Sequence, residues 1–304
     1  MTLRRISGLA VAGVAVLALA GCGTSDTVDG DTEETTSSDA IVIGSQDYYS
    51  NEIVAELYAQ ALEAEGFDVD RQLRIGQRET YLPEIEAGEI DLFPEYTGPL
   101  LQYWNADATE RGSDEVYSAL EDAAPDGLRV LEQAAATDQD AYVVTREFAD
   151  EWDLETVADL ANVTEPLTMG ANSEAETRPN GPNGLKEVYG VDAGFTPIED
   201  GGGPLTVKAL EDGDIQLAII YTADPSLDSG DLVVLEDTED LFTASHLVPI
   251  ASERLGDDAA AVVDAVSAEL APEDLIALNA RSVQDELPAA TIAGDWLAEK
   301  GLAG

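Results

Sequence analysis

At 304 residues, 44% of them hydrophobic, the chain is long enough for one or two domains with a sizeable core and too apolar for a disordered acidic chain. It carries 63 acidic and 14 basic residues, a formal net charge of −49, and a surface of that sign repels phosphate backbones, which excludes nucleic acid as a partner. The single cysteine, Cys22, excludes a disulfide within the chain and a cysteine-based zinc site.

The first element is a processing segment. Arg4 and Arg5 precede an uncharged apolar run over 6–20, shorter than the ~20 residues that span a bilayer. The run ends in Leu19-Ala20-Gly21-Cys22, which resembles the lipobox of bacterial lipoproteins, where the cysteine is lipidated and becomes the first mature residue. An ordinary secretory signal with an incidental cysteine is the other reading, and the arginine pair leaves Sec and twin-arginine export both open. Residues 1–21 are then a signal peptide. Residues 22–39, rich in Thr, Ser, Asp and Glu, are a flexible tether. Loss of Arg4 and Arg5 takes the net charge from −49 to −51. Such a charge either steers a cationic ligand or keeps the surface soluble in high salt, where a screening length of ~3 Å at 1 M removes long-range steering.

The folded part opens with a strand over 41–44. A helix follows over 51–65, with Ile53, Leu57, Tyr58, Ala61 and Leu62 at helical spacing and Gly66 as its stop. The pattern continues with a strand over 69–75, a helix over 80–87 and a strand over 90–93. This βαβαβ order predicts a parallel sheet covered by helices. Further helices are predicted over 113–123, 157–160, 183–189 and 207–211, with strands over 128–131, 141–144, 167–170, 215–221 and 232–235. The tail, 257–280 and 289–300, is alanine-rich and helical.

One stretch recurs. "GEIDLFPEYT" (88–97) is echoed by "GDIQLAIIYT" (213–222): Gly, acid, Ile, polar, Leu, then Tyr-Thr, with eight residues from Gly to Tyr. Each follows a predicted short helix. The echo implies two α/β lobes that each place a tyrosine at the carboxyl end of an equivalent strand, the edge at which open α/β sheets bind ligands. Tyr96 and Tyr221 would then face one cleft.

Enzyme signatures are missing. There is one histidine, His246, and neither a Gly-x-Ser-x-Gly elbow nor a phosphate loop; "EDGGGP" (199–204) lacks the lysine such a loop needs. No cofactor and no metal site is predicted. Aromatic residues make up only 6%, so the placement of Tyr96, Tyr142 and Tyr221 beside strands carries weight. Tyrosine faces are electronegative, and several around one point bind a quaternary ammonium, which has no N–H to donate. Half-buried strand tyrosines with wet hydroxyls are the alternative.

The block "IVIGSQDYYSNEIVAELYAQALEAEGFDVDRQLRIGQRETYLPEIEAGEIDLFPEYTGPLL" is similar to the osmoprotectant (glycine betaine/choline) substrate-binding proteins of ABC transporters. So are "ATDQDAYVVT", "NSEAETRPNGPNGLKEVYG" and "LNARSVQDELPAATIAGDWLAEKGL", and the resemblance runs over 41–302. It implies a two-lobed α/β periplasmic-binding-protein fold (type II) with two inter-lobe crossovers. Lobe 1 would comprise 40–137 and 248–304, and lobe 2 would comprise 138–247. Tyr96, Tyr142 and Tyr221 match the family's cage tyrosines. Asp140 matches the acidic residue whose backbone faces the ammonium. Arg178 matches the arginine that grips a ligand carboxylate, a task suited to its planar fork. Thr97 belongs with the first cage tyrosine.

Three departures accompany the match. Gln46 stands where relatives often have lysine. Pro99 stands where betaine-type members often have threonine. The last cage tyrosine is replaced within "TASHLVP", so that Ser245 or His246 completes the cage. The anion end is thereby poorer, and choline joins glycine betaine as a candidate ligand.

The expectation is therefore a monomeric, non-enzymatic, extracytoplasmic binding protein, lipid-anchored at Cys22, that serves a membrane ABC permease. The same fold binding an amino acid is one alternative, and a surface lipoprotein enzyme using acidic residues is another.

Overall fold

Two five-stranded sheets carry the chain, wired in the same way. The structure, a computed structural model, describes residues 40–303. The predicted signal peptide, Cys22 and the tether lie outside the described residues. The first half runs β1 (Ile41–Gln46), α1 (Tyr49–Ala64), β2 (Val69–Gly76), α2 (Arg78–Glu86), β3 (Leu92–Tyr96), α3 (Thr97–Trp104), α4 (Ser113–Ala123) and β4 (Leu128–Val130). The second runs β5 (Asp140–Thr145), α5 (Arg146–Trp152), β6 (Leu167–Ala171), α6 (Pro182–Tyr189), β7 (Ala193–Pro197), α7 (Pro204–Glu211), β8 (Leu217–Tyr221) and β9 (Leu232–Val234). The chain then returns to the first sheet as β10 (Leu247–Ser252) and ends in α8 (Asp257–Glu269), α9 (Pro272–Val283) and α10 (Ala289–Lys300).

The sheet orders are β2-β1-β3-β10-β4 and β7-β6-β8-β5-β9. In the first, β1 lies parallel to β2 and β3, and β10 antiparallel to β3 and β4. In the second, β6 lies parallel to β7 and β8, and β5 antiparallel to β8 and β9. The chain passes between the sheets twice, and the two passages touch where Thr137 bridges His246. This is the predicted two-lobed α/β fold with two crossovers.

The internal echo has a physical basis. Gly88 and Gly213 both take positive φ, 71° and 78°, a conformation that costs glycine nothing and reverses the chain from helix to strand. The polar residue three positions later then clamps the neighbouring strand. Asp91 accepts the Val42 N–H on Oδ2 at 3.0 Å while its own N–H donates to Val42 O. Gln216 does the same with Thr168, its Oε1 accepting the N–H at 3.1 Å. The clamp sets the register, Leu92 opposite Ile43 and Leu217 opposite Met169. Four residues on, Tyr96 and Tyr221 reach the carboxyl ends of their strands.

Some elements differ from expectation. Residues 257–280 form two helices, because Pro272 lacks an N–H and starts α9 instead of continuing α8. The helices α3 and α5 and the strands β7 and β10 were not anticipated. Strand β10 contains Pro249, which argues against an interior strand. It is tolerated because it faces another proline, Pro94, and still lends its carbonyl to Leu131 N–H. Helix α1 is buried on several sides: Ile53, Val54, Leu57, Tyr58 and Leu62 have no exposed surface and pack with α8, α9 and α10. At about 1.5–3 kcal/mol per large apolar side chain, this layer holds the first lobe's C-terminal helices in place.

Candidate functional site

The carboxyl ends of the parallel strands from both lobes meet at one cleft, which agrees with the rule for open α/β sheets. From the first lobe come Gln46 at the end of β1, Tyr48 just after it, Arg78 at the start of α2 and Tyr96 at the end of β3. From the second come Asp140 at the start of β5, Arg178 after β6 and Tyr221 at the end of β8. The crossovers add Asp138 and Ser245. Together with Pro99 these residues line an inner cavity of about 30 Å³. A neighbouring chamber of about 260 Å³ shares Arg78, Pro99, Asp140 and Arg178 with it.

Three tyrosines form one wall. The Tyr48 ring lies 5.4 Å from that of Tyr221 at 57°. The Tyr48 hydroxyl donates to Tyr96 Oη at 2.9 Å and also lies 3.4 Å from Asp138 Oδ2. Burial pushes the phenols of Tyr48, Tyr96 and Tyr221 upward, so all three remain neutral rings at ordinary pH. Tyr49 packs edge-on to Tyr48 at 6.3 Å and donates its hydroxyl across the lobes to Asp224 Oδ2 at 2.7 Å.

The charged groups are unevenly paired. Arg78 forks onto buried Glu95 at 2.7 and 2.8 Å, and Glu95 also accepts the Tyr81 hydroxyl and the Tyr96 N–H. Glu95, the carboxylate inside "PEYTG", thus serves Arg78 and not the cavity. Arg178 reaches across the lobes to Glu79 at 3.0 and 3.2 Å. Asp138 accepts the Ala223 N–H at 2.9 Å. Burial pushes its carboxyl up to about 7; the Ala223 hydrogen bond opposes this, and the charges of Asp140 and Asp224 add to it. Asp140 is raised by burial against the pull of Arg178 and Arg78.

Of the predicted site residues, Gln46, Tyr96, Asp140, Arg178 and Tyr221 are brought together at the inner cavity. Tyr142 is not. It is fully buried one step behind Asp140 on the same strand face, its ring edge-on to Phe242 at 4.9 Å and its hydroxyl donating to Asn180 O. Of the two candidates in the returning crossover, Ser245 lines the cavity and His246 does not; the His246 ring turns to Ala134 O. Thr97 is also held away, its hydroxyl donating to Ala244 O and accepting His246 N–H. Tyr48, Arg78 and Asp138 were missed. Tyr48 follows a parallel strand as Tyr96 does, so the edge rule applied to β1 would have found it.

Comparison with known proteins places this geometry in a family. Residues 39–299 match the family described as the substrate binding domain of ABC-type glycine betaine transport system. The chain belongs to that family. Its members are extracytoplasmic solute-binding components of ABC transporters and not enzymes. The chain is 23% identical over 276 residues to the glycine betaine-binding protein YehZ of Escherichia coli strain K12, covering 86% of this chain and 90% of that one. A crystal structure of a glycine betaine/carnitine/choline ABC transporter protein superposes with a TM-score of 0.69 at 19% identity, covering 87% of this chain and 100% of that one. An ABC-transporter choline-binding protein in complex with choline gives 0.63 at 14% identity, covering 86% and 89%. These likenesses establish the type II periplasmic-binding-protein fold. Among the described residues no helix is long and apolar enough to cross a membrane.

Proposed function

We propose that this chain captures a quaternary-ammonium solute of the choline or glycine betaine type between its lobes and delivers it to the permease of an ABC importer. The observation that carries the reading is the convergence of Tyr48, Tyr96 and Tyr221, from both lobes, on one cavity edged by carboxylates. A quaternary ammonium has no N–H to donate, so π faces and negative charge are the groups that recognise it. Each desolvated ring contributes roughly 0.5–2 kcal/mol. Three rings therefore supply part of the ~8 kcal/mol of micromolar binding, and the aspartates and methyl burial supply the rest.

The inner cavity is small, at about 30 Å³, and adjoins the larger chamber with which it shares Arg78, Pro99, Asp140 and Arg178. The ligand touches both lobes and so favours the closed form, with opening at the crossovers admitting it. The protein acts as a monomer, with Cys22 as the site of a lipid anchor that keeps it near the permease.

Calorimetric titration with choline, glycine betaine, proline betaine and carnitine tests the ligand class, with 3,3-dimethylbutan-1-ol as the uncharged isostere of choline. Binding of at least one cation and none of the isostere is expected. No binding by any quaternary ammonium would refute the reading.

A further inference from the structure

Both arginines at the inner cavity are already engaged, Arg78 by Glu95 and Arg178 by Glu79. The aspartates form no ion pair with either arginine, although the charges of Arg178 and Arg78 are felt at Asp140. Among the described residues the Asp140 carboxylate makes no hydrogen bond or ion pair, and the Asp138 carboxylate meets only neutral groups, the Ala223 N–H and, at 3.4 Å, the Tyr48 hydroxyl. The cavity thus presents two carboxylates outside any ion pair, while each of its arginines is already in one. An independent observation concerns the polar end. Gln46 is 7% exposed, lines the same cavity, and its Nε2 has no acceptor among the described residues. A buried donor in that condition is costly, and an oxygen brought by a ligand relieves it.

We propose that this cleft selects a quaternary ammonium carrying net positive charge and an uncharged hydroxyl, a choline-type cation, over a betaine-type zwitterion. The inference rests on the quaternary-ammonium reading above. The ammonium finds its counter-charge in Asp138 and Asp140. The ligand hydroxyl accepts from Gln46 Nε2, and its own hydrogen has carboxylate oxygens to donate to. A ligand carboxylate can accept from Gln46 Nε2 as well, but its charge finds no cation outside an ion pair. It must either displace Glu79 from Arg178 or lie beside Asp140, where like charges repel in a poorly solvated site. Selectivity here arises as much from what opposes the zwitterion as from what attracts the cation.

Choline and glycine betaine share the trimethylammonium group and differ in the tail, so the pair isolates this term. Calorimetric titration of the purified protein at pH 8 is expected to give choline at least about tenfold tighter than glycine betaine. Asp140→Asn should bring the two affinities to within about threefold of each other, mainly by weakening choline. Gln46→Lys, which adds an unpaired cation, should turn the preference toward glycine betaine. Far-UV circular dichroism checks that each variant folds, and the Gln46→Lys arm decides if Asp140→Asn does not. Glycine betaine equal to or tighter than choline in the wild type overturns this inference and leaves the ligand class standing. A choline preference that survives both substitutions also overturns it. Binding of neither ligand overturns the inference, and the ligand class falls with it only if proline betaine and carnitine fail to bind as well.

Discussion

Replacing Asp138 with Asn tests the charge state of the cleft. Asp138 lies in the outgoing crossover and is 5% exposed. It is faced by Tyr48 ahead of α1, by Asp140 at the start of β5, by Tyr221 at the end of β8, and by Ala223 and Asp224 just after it. Tyr96, Arg78 and Arg178 line the same cavity, the arginines each held by a glutamate. Burial pushes the Asp138 carboxyl up to about 7, whereas an unfolded aspartate titrates near about 3.9. Between those values the folded protein holds a proton that the unfolded chain has released. The group's favourable contribution is therefore complete below about pH 4 and is lost as pH rises through about 7. At about 1.4 kcal/mol per pH unit the loss is at most roughly 4 kcal/mol, and less where lobe opening wets the carboxyl. Asn keeps the shape, offers Oδ1 to the Ala223 N–H and carries no charge. Urea unfolding of wild type and Asp138→Asn at pH 4, 6 and 8 should give matching stabilities at pH 4, with the variant ahead by roughly 2–4 kcal/mol at pH 8. The pairwise difference cancels the many other carboxylates. A difference that does not change with pH would show that Asp138 is not the buried acid of the cleft.

Tyr221→Ala and Tyr96→Ala should each weaken quaternary-ammonium binding by about tenfold or more, whereas Tyr142→Phe should change it less than about threefold, because Tyr142 stands behind the cavity; calorimetry distinguishes them, and equal losses would return Tyr142 to the cage. Glu95→Ala leaves Arg78 buried without its partner and should cost about 3–5 kcal/mol in urea unfolding; a cost under about 1 kcal/mol would mean that Arg78 finds water. Tyr49→Phe removes an inter-lobe hydrogen bond to a carboxylate, of the kind that contributes about 1.5–3 kcal/mol, and should increase the unliganded radius of gyration in small-angle X-ray scattering; an unchanged radius would place the closure energy elsewhere.

What could be read from the chain depended on whether the determining contacts were local. The echo at 88–97 and 213–222 was legible because its working parts, a left-handed glycine, a clamping polar residue and a terminal tyrosine, lie within ten residues and recur in order. Depth in the cleft was not legible in the same way. Asp140 and Tyr142 share one face of β5, and nothing in their two-residue spacing says that the edge lies at the first and the core at the second. That is decided by Phe242 and the Asn180 carbonyl, which arrive from remote parts of the chain. Strand β10 was hidden because Pro249 reads as a strand breaker until Pro94 is known to lie opposite it. The charge balance of the site was the least accessible feature. With 63 carboxylates and 14 basic residues, most acids must go without a basic partner, so an unpaired aspartate carries no mark in the sequence. Only the fold shows that Glu95 and Glu79 take the two arginines while Asp138 and Asp140 keep the cavity, and it is this allocation, more than the aromatic count, that separates a site for a cation from a site for a zwitterion.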